Sequence, residues 1–140
     1  MRHVRKKLYD DVFELVSKIV RASEAGDTVV ESAELSRLRT LYVRYEALGI
    51  PDPFLTEAMA DYTDDPSEAV RLYRLALAQS AQHSDEPTHT KRICMAERLV
   101  ELGDLEAART ELLLGRAEAE RVNDNAYIKM ADDLLPRTRG

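Results

Sequence analysis

The chain has 140 residues, 26 of them acidic and 20 Lys or Arg, for a formal net charge of −6, and it carries a single cysteine, Cys94. That balance disfavours a general nucleic-acid binder, which needs clustered cations to neutralise phosphates. One cysteine excludes an internal disulfide framework, and no run approaches the roughly 18 uncharged residues that a membrane span requires.

One domain, residues 1–140, is the economical arrangement, burying roughly two-thirds of the unfolded surface. Five Gly and five Pro fall almost entirely between periodic apolar segments, which predicts an all-α fold of about seven helices. The basic start MRHVRKK runs into Asp10, Asp11 and Glu14, which would interrupt the apolar core of a secretion signal. A soluble cytoplasmic protein is therefore expected.

In chain order, Val4, Leu8, Val12, Leu15, Val16 and Ile19 form a helical stripe widened by Tyr9, Phe13 and Val20, which predicts a helix over 4–25 closed by Gly26. Thr28 and Glu31 have capping-box spacing, and Leu35, Leu38, Leu41, Tyr42, Tyr45 and Leu48 carry a second helix to Gly49. Residues 1–49 thus read as an antiparallel pair. Pro51 and Pro53 force a break, and Asp52-Pro53 supplies an N-cap with proline at the first helical position. A short helix with Phe54, Leu55, Ala58, Met59 and Tyr62 follows, and Asp65-Pro66-Ser67-Glu68 caps the next, which carries Ala69, Leu72, Tyr73, Ala76 and Leu77.

After the polar linker 82–87, Pro87 is the expected start of a fifth helix. Ile93, Ala96, Leu99, Val100 and Leu102 then face Leu105, Ala108, Leu112, Gly115 and Ala119 across the turn Leu102-Gly103-Asp104. This is a helical hairpin with short side chains at its crossing. Tyr127, Ile128, Ala131, Leu134 and Leu135 give a last helix over 125–135, expected to cap the stack and to stop at Pro136, with a disordered tail from Arg137.

The segment AERLVELGDLEAARTEL resembles a tetratricopeptide repeat (TPR) in its small residues Ala96 and Ala108, the Gly103-Asp104 turn, Leu99, Leu105, Leu112 and the small Gly115. Lys91 and Arg92 stand where that family places an aromatic residue. A weaker copy, SEAVRLYRLALAQS, matches at Ala69, Tyr73 and Ala76. The resemblance is clearest over 88–120 and weaker over 53–82. It implies stacked antiparallel pairs in a TPR-like right-handed α-α superhelix: a degenerate repeat at 52–82, a TPR-like repeat at 87–122, and a concave face lined by the first helix of each pair.

Charge is unevenly spread. No Lys or Arg lies between Arg44 and Arg71, while Glu46, Asp52, Glu57, Asp61, Asp64, Asp65 and Glu68 fall in that interval. If the resemblance holds, Glu57 and Asp61 share a groove with Thr90, Glu97 and Glu101, and Tyr62 and Asp64 lie at its edge. These seven residues are the candidate partner-binding set, and mutual repulsion among the carboxylates would be relieved by a basic partner. The competing reading is that the acids cap helices and solvate the surface, which suits Asp52 and Asp65.

Other chemistry finds little footing. Asp61, Asp64 and Asp65 lack the glycine turn and final glutamate of a calcium loop, and His83 and His89 have no zinc-ligand spacing. Cys94 lies on a periodic helix, where an inert thiol is the default, and no nucleophile elbow or phosphate-binding glycine loop is present. No catalytic, cofactor-binding or metal-binding residues are therefore expected. Tyr42, Tyr45 and Tyr73 read as core, with Tyr62 as an aromatic anchor. Arg2, Arg5, Lys6 and Lys7 read as a solvated helix start. The function expected is a non-enzymatic protein-binding module, in the manner of a bacterial immunity protein occluding a basic toxin, acting as a monomer or weak homodimer without nucleic acid or membrane. A peptide-binding scaffold or chaperone adaptor, and a helical enzyme or metal protein using Glu57, Asp61 and His89, are the alternatives.

Overall fold

The computed structural model describes residues 2–139, with side chains from Arg5 onward; the side chains of Arg2 and Val4, and Gly140, lie outside the described residues. Seven α-helices follow in order: α1 (Arg2–Ala25), α2 (Thr28–Ala47), α3 (Pro53–Asp61), α4 (Pro66–Ser80), α5 (His89–Glu101), α6 (Leu105–Arg121) and α7 (Asn125–Leu134). A 3-10 turn, Leu135–Thr138, closes the chain, and no strand occurs among the described residues.

Aspartates set most of the helix starts. Asp27, Asp52, Asp65, Asp104 and Asp124 each accept a backbone N–H from the first turn of the helix they precede, satisfying donors that a helix leaves unpaired. Asp52 accepts from both Phe54 N (2.9 Å) and Leu55 N (3.2 Å), with Pro53 pre-set for the first helical position. Thr28 and Glu31 do not form the expected capping box, because Asp27 caps α2 by accepting from Val30 N at 3.1 Å. Helix α5 begins at His89 rather than Pro87. Its N-cap residue Thr88 makes no capping bond and donates its hydroxyl to Glu118 on α6 instead.

The helices pack as adjacent pairs, α1 with α2, α3 with α4 and α5 with α6, and α7 lies against α5 and α6. The first helices of successive pairs also adjoin. Helix α1 touches α3, α5 touches α7, and side chains of α5 bond to Glu57 of α3 and to the Thr63 carbonyl just after it. One core gathers Leu8, Val12, Ile19, Leu38, Leu55 and Ala58; a larger one runs from Ala60 and Tyr73 through Ile93, Leu99 and Leu112 to Leu134. Tyr42 and Met59 pack against both and join them.

The α5–α6 hairpin closes as its spacing predicts. Ala96, Ala108, Leu112 and Ala119 are fully buried at the crossing, and Gly103 takes φ +79° in the turn, a left-handed conformation that favours glycine. Leu48 and Leu102, expected on apolar faces, are exposed. Both are C-cap residues, where the chain turns off the helix. Pro136 ends α7 without ending order. The chain tightens into the 3-10 turn, Thr138 donates to Leu135 O at 2.7 Å and is buried, and the expected disordered tail is structured through Thr138. Among the described residues, no helix is long and apolar enough to cross a membrane.

Candidate functional site

The residues singled out by sequence lie on α3 and α5 and in the turn after α3, and the two helices meet through the side chains of Glu57, Thr90 and Lys91. Glu57 and Asp61 are one helical turn apart on α3, and Thr90, Cys94, Glu97 and Glu101 recur at three- and four-residue spacing on α5, so each set lies on one side of its helix.

Glu57 is not an open surface acid. Its Oε1 lies 2.9 Å from Lys91 Nζ, and its Oε2 accepts from Thr90 Oγ1 at 2.7 Å. Lys91 is 0% exposed, and its ammonium also donates to Glu86 Oε1 (2.8 Å) and the Pro87 carbonyl (2.7 Å). All three of its protons therefore have acceptors, which is the condition under which a lysine survives burial. Glu86 turns its second oxygen to Arg5 at 3.0 Å, and Arg5 Nε pairs with Asp52 at 3.1 Å. This chain of ion pairs ties α1, the start of α3, the linker before α5, and α5 itself.

Sequence reasoning missed Lys91, although a signal for it was present. Lys91, Met95 and Leu99 recur every four residues, and all three are buried. A lysine in an apolar stripe needs an acid to meet it. Arg92, the other basic residue in the place where TPRs carry an aromatic, turns the opposite way and pairs with Glu111 (2.9 Å) and Glu118 (2.6 Å) on α6. The two cations tie α5 to both neighbours.

One turn beyond Glu57, Asp61 accepts from the Tyr73 hydroxyl at 2.5 Å. Desolvation pushes the carboxyl up to about 7; the Tyr73 bond opposes this, the nearby Glu57 charge adds to it, and Lys91 and Arg98 oppose it. The residue as a whole stays exposed, so the crowding falls on the carboxyl end that meets Tyr73 while the rest stands in solvent. Burial pushes the Cys94 thiol up to about 12, with Asp61 and Glu57 adding to the rise. Tyr127, whose hydroxyl lies 4.0 Å from Cys94 Sγ, is raised by burial and by Cys94, with further contributions from Glu57 and Asp61. Burial is the first cause at each of these groups on α3, α5 and α7, and the negative field of Glu57 and Asp61 adds to it.

The remaining candidates take different places. Glu97 is exposed, and Asp64 is exposed in the turn before α4. Glu101 pairs with Arg98 at 3.0 Å, and Arg98 also donates to Thr63 O at 2.7 Å, a cation on this face that sequence reasoning did not single out. Tyr62 is half-buried against the α1–α2 core, and burial raises its pKa together with Asp61 and Glu31. Its role as a free anchor is reduced accordingly.

Among the described residues Glu57, Asp61 and His89 do not converge on a metal site. His89 is buried, pairs through Nε2 with Asp124 Oδ2 at 2.8 Å and meets the Tyr127 ring edge-on at 5.5 Å. Cys94, held as a thiol, meets the Tyr127 hydroxyl, while the His89 imidazole is engaged with Asp124. A groove of about 470 Å³ lies elsewhere, between α1 and α2, lined by Asp11, Glu14, Lys18, Arg37 and Arg44. Its charges are of both signs, so it does not extend the negative field.

Comparison of the chain with protein-family models, with curated proteins and with solved structures returns no match.

Proposed function

We propose that the chain is a non-enzymatic protein-binding module that takes a basic surface of another protein onto the α3–α5 face. The carrying observation is that Asp61, Asp64 and Glu97 are exposed, and a cation that docks there stabilises their ionised forms. The buried Lys91 spends its hydrogen bonds on Glu57, Glu86 and the Pro87 carbonyl, and Asp64 and Glu97 stay exposed.

The architecture we propose for this face is a tetratricopeptide-like right-handed superhelix with first helices lining a concave side. Its support is the pairwise packing, the contact between successive first helices, and the small residues at the α5–α6 crossing. An immunity protein that covers the basic site of a toxin, from within the cytoplasm, is the form of this function that size and charge suit. Capture from the native host with wild-type protein and an Asp61→Lys/Glu97→Lys variant tests the reading. A basic protein retained by wild type, released by salt and lost with the variant is the expected result; equal retention by both overturns it.

A further inference from the structure

Helix α2 ends in a turn that its sequence dictates. Gly49 takes φ +68°, a left-handed conformation that favours glycine, and its N–H donates to Glu46 O while Ile50 N–H donates to Tyr45 O, both at 3.1 Å. These are the two bonds of a Schellman motif. Asp52, extended at φ −132° and ψ 125° as a residue before proline should be, then starts α3. A cleft of about 220 Å³ lies between the end of α2, this connection, the first turn of α3 and the second half of α4.

Its walls are mostly apolar. Tyr42 and Tyr45 come from α2, Ile50 and Pro51 from the connection, Leu55 from α3 and Leu75 from α4. Leu55 and its neighbour Thr56 are buried, which places them at the inner end. An apolar cavity of about 150 Å³ is large enough for benzene, so the space suits one ring with a small substituent.

One wall also carries an anchored polar group. The Thr56 hydroxyl lies 2.7 Å from Gln79 Oε1 and 2.9 Å from Asp52 O. This contact holds one end of the Gln79 amide, and the other end makes no hydrogen bond among the described residues. A ligand hydroxyl both donates and accepts, so it matches that free end in either orientation of the amide. Glu46, exposed where it lines the cleft, sets the charge. Its field reaches Tyr42, whose phenol is raised by burial first and by Glu46 next, with Arg71 opposing. Arg71 is itself bonded to Glu68, and Asp52 is engaged by Phe54 N, Leu55 N and Arg5. The cleft therefore opposes an anionic ligand.

We infer that this cleft binds a neutral single-ring phenol, the ring among Tyr45, Leu55 and Leu75 and the hydroxyl on Gln79. The inference goes beyond the protein-binding reading and does not depend on it, since Asp61 and Glu97 take no part.

The probe is p-cresol, titrated into isotope-labelled protein and followed by nuclear magnetic resonance. Resonances of Leu55, Leu75 and Gln79 are expected to shift as one saturable site with a Kd of about 1 mM or below. Benzoate, an anion on the same ring, is expected to bind about tenfold or more weakly, and toluene, which lacks the hydroxyl, about threefold or more weakly. Gln79→Leu is expected to level cresol with toluene and to keep the fold, because Thr56 still donates to Asp52 O. Leu75→Trp is expected to fill the cleft and abolish the shifts, whereas Asp61→Lys/Glu97→Lys is expected to leave them unchanged. Shifts that do not saturate, shifts that fall on Tyr9 and Phe13 instead, or equal binding of cresol, toluene and benzoate overturn the inference. So does a cresol preference that Gln79→Leu leaves intact. N-acetyl-tyrosinamide separates the two sources of such a ring: binding tighter than that of cresol assigns the site to a tyrosine of a peptide, and weaker binding assigns it to a free compound.

Discussion

Lys91 Nζ lies 2.9 Å from Glu57 Oε1, and the lysine has no solvent exposure. Two helices distant in sequence are thereby joined by charge rather than by apolar packing alone. Removing one member leaves the other charge buried and unpaired, which costs more than the pair contributes. Lys91→Met is expected to lower unfolding free energy by about 3 to 5 kcal/mol, because Glu57 and Glu86 would then face each other without the ammonium. Lys91→Met/Glu57→Leu is expected to recover much of that loss, since Arg5 still pairs with Glu86. Urea titrations of the three proteins decide it, and a single variant within about 1 kcal/mol of wild type would mean the network is not structural.

The crossing of α5 and α6 gives a second expectation. A Cβ added at Gly115 would stand 2.8 Å from Ile93 Cγ1 and 3.3 Å from Arg92 Cβ. Alanine in place of a helical glycine gains up to about 1 kcal/mol of helix propensity, but overpacking a filled core costs about 1 to 3 kcal/mol. Ile93 is fully buried and has little room to yield, so the second effect wins. Gly115→Ala is expected to lower the thermal midpoint, and a rise would show that α6 can shift away from α5 cheaply.

The α5–α6 hairpin was legible because its information is local. Ile93, Ala96 and Leu99 face Ala108, Leu112 and Gly115 across a turn marked by Gly103, and helical period alone sets which side is buried. The Asp52 and Asp65 caps were legible for the same reason. Asp27 escaped because Thr28 and Glu31 offered a second, equally local pattern. The Lys91–Glu57 pair was not legible as a pair, since its members are 34 positions apart and nothing in the spacing of either specifies the other. Glu57 therefore read as surface acid together with Asp61, whereas the fold turns the two to different uses. The aromatic stripe of α1 read as a widened core face because helical period does not say how much of an apolar face its neighbours cover, and Tyr9, Phe13 and Val20 stay exposed.

Cys94 offers a probe of burial and of the negative field together. Its thiol is pushed up to about 12, from an ordinary value of 9.0, by burial first and by Asp61 and Glu57 next. Alkylation proceeds through the thiolate. At pH 8 the folded protein is expected to react with iodoacetamide more slowly than a free thiol by about a hundredfold or more, and to react at the free rate in denaturant. A folded rate matching that of free cysteine would contradict the environment described for α3, α5 and α7.

Asp61 links that field to pH. Its carboxyl titrates at about 7 in the folded chain against 3.8 for the ordinary group. The groups facing it are Tyr73 from α4, Glu57 from α3, and Lys91 and Arg98 from α5. Between those two pH values the native chain holds a proton that the unfolded chain has released. Stability from this residue is therefore complete below about pH 4, falls as pH rises to about 7, and stays level above it. Asp61→Asn keeps an acceptor for the Tyr73 hydroxyl and removes the titration. The difference in melting temperature, variant minus wild type, is expected to grow from pH 4.5 to pH 8. Because the residue is exposed, water screens the ionised form and holds the effect to about 1 kcal/mol or less. Docking of a cation runs the same linkage in reverse, favouring the ionised carboxyl, so binding at pH 7 is expected to release protons. Calorimetry of the captured basic partner in buffers of different ionisation enthalpy measures that release, and an identical heat in every buffer would separate Asp61 from the binding surface.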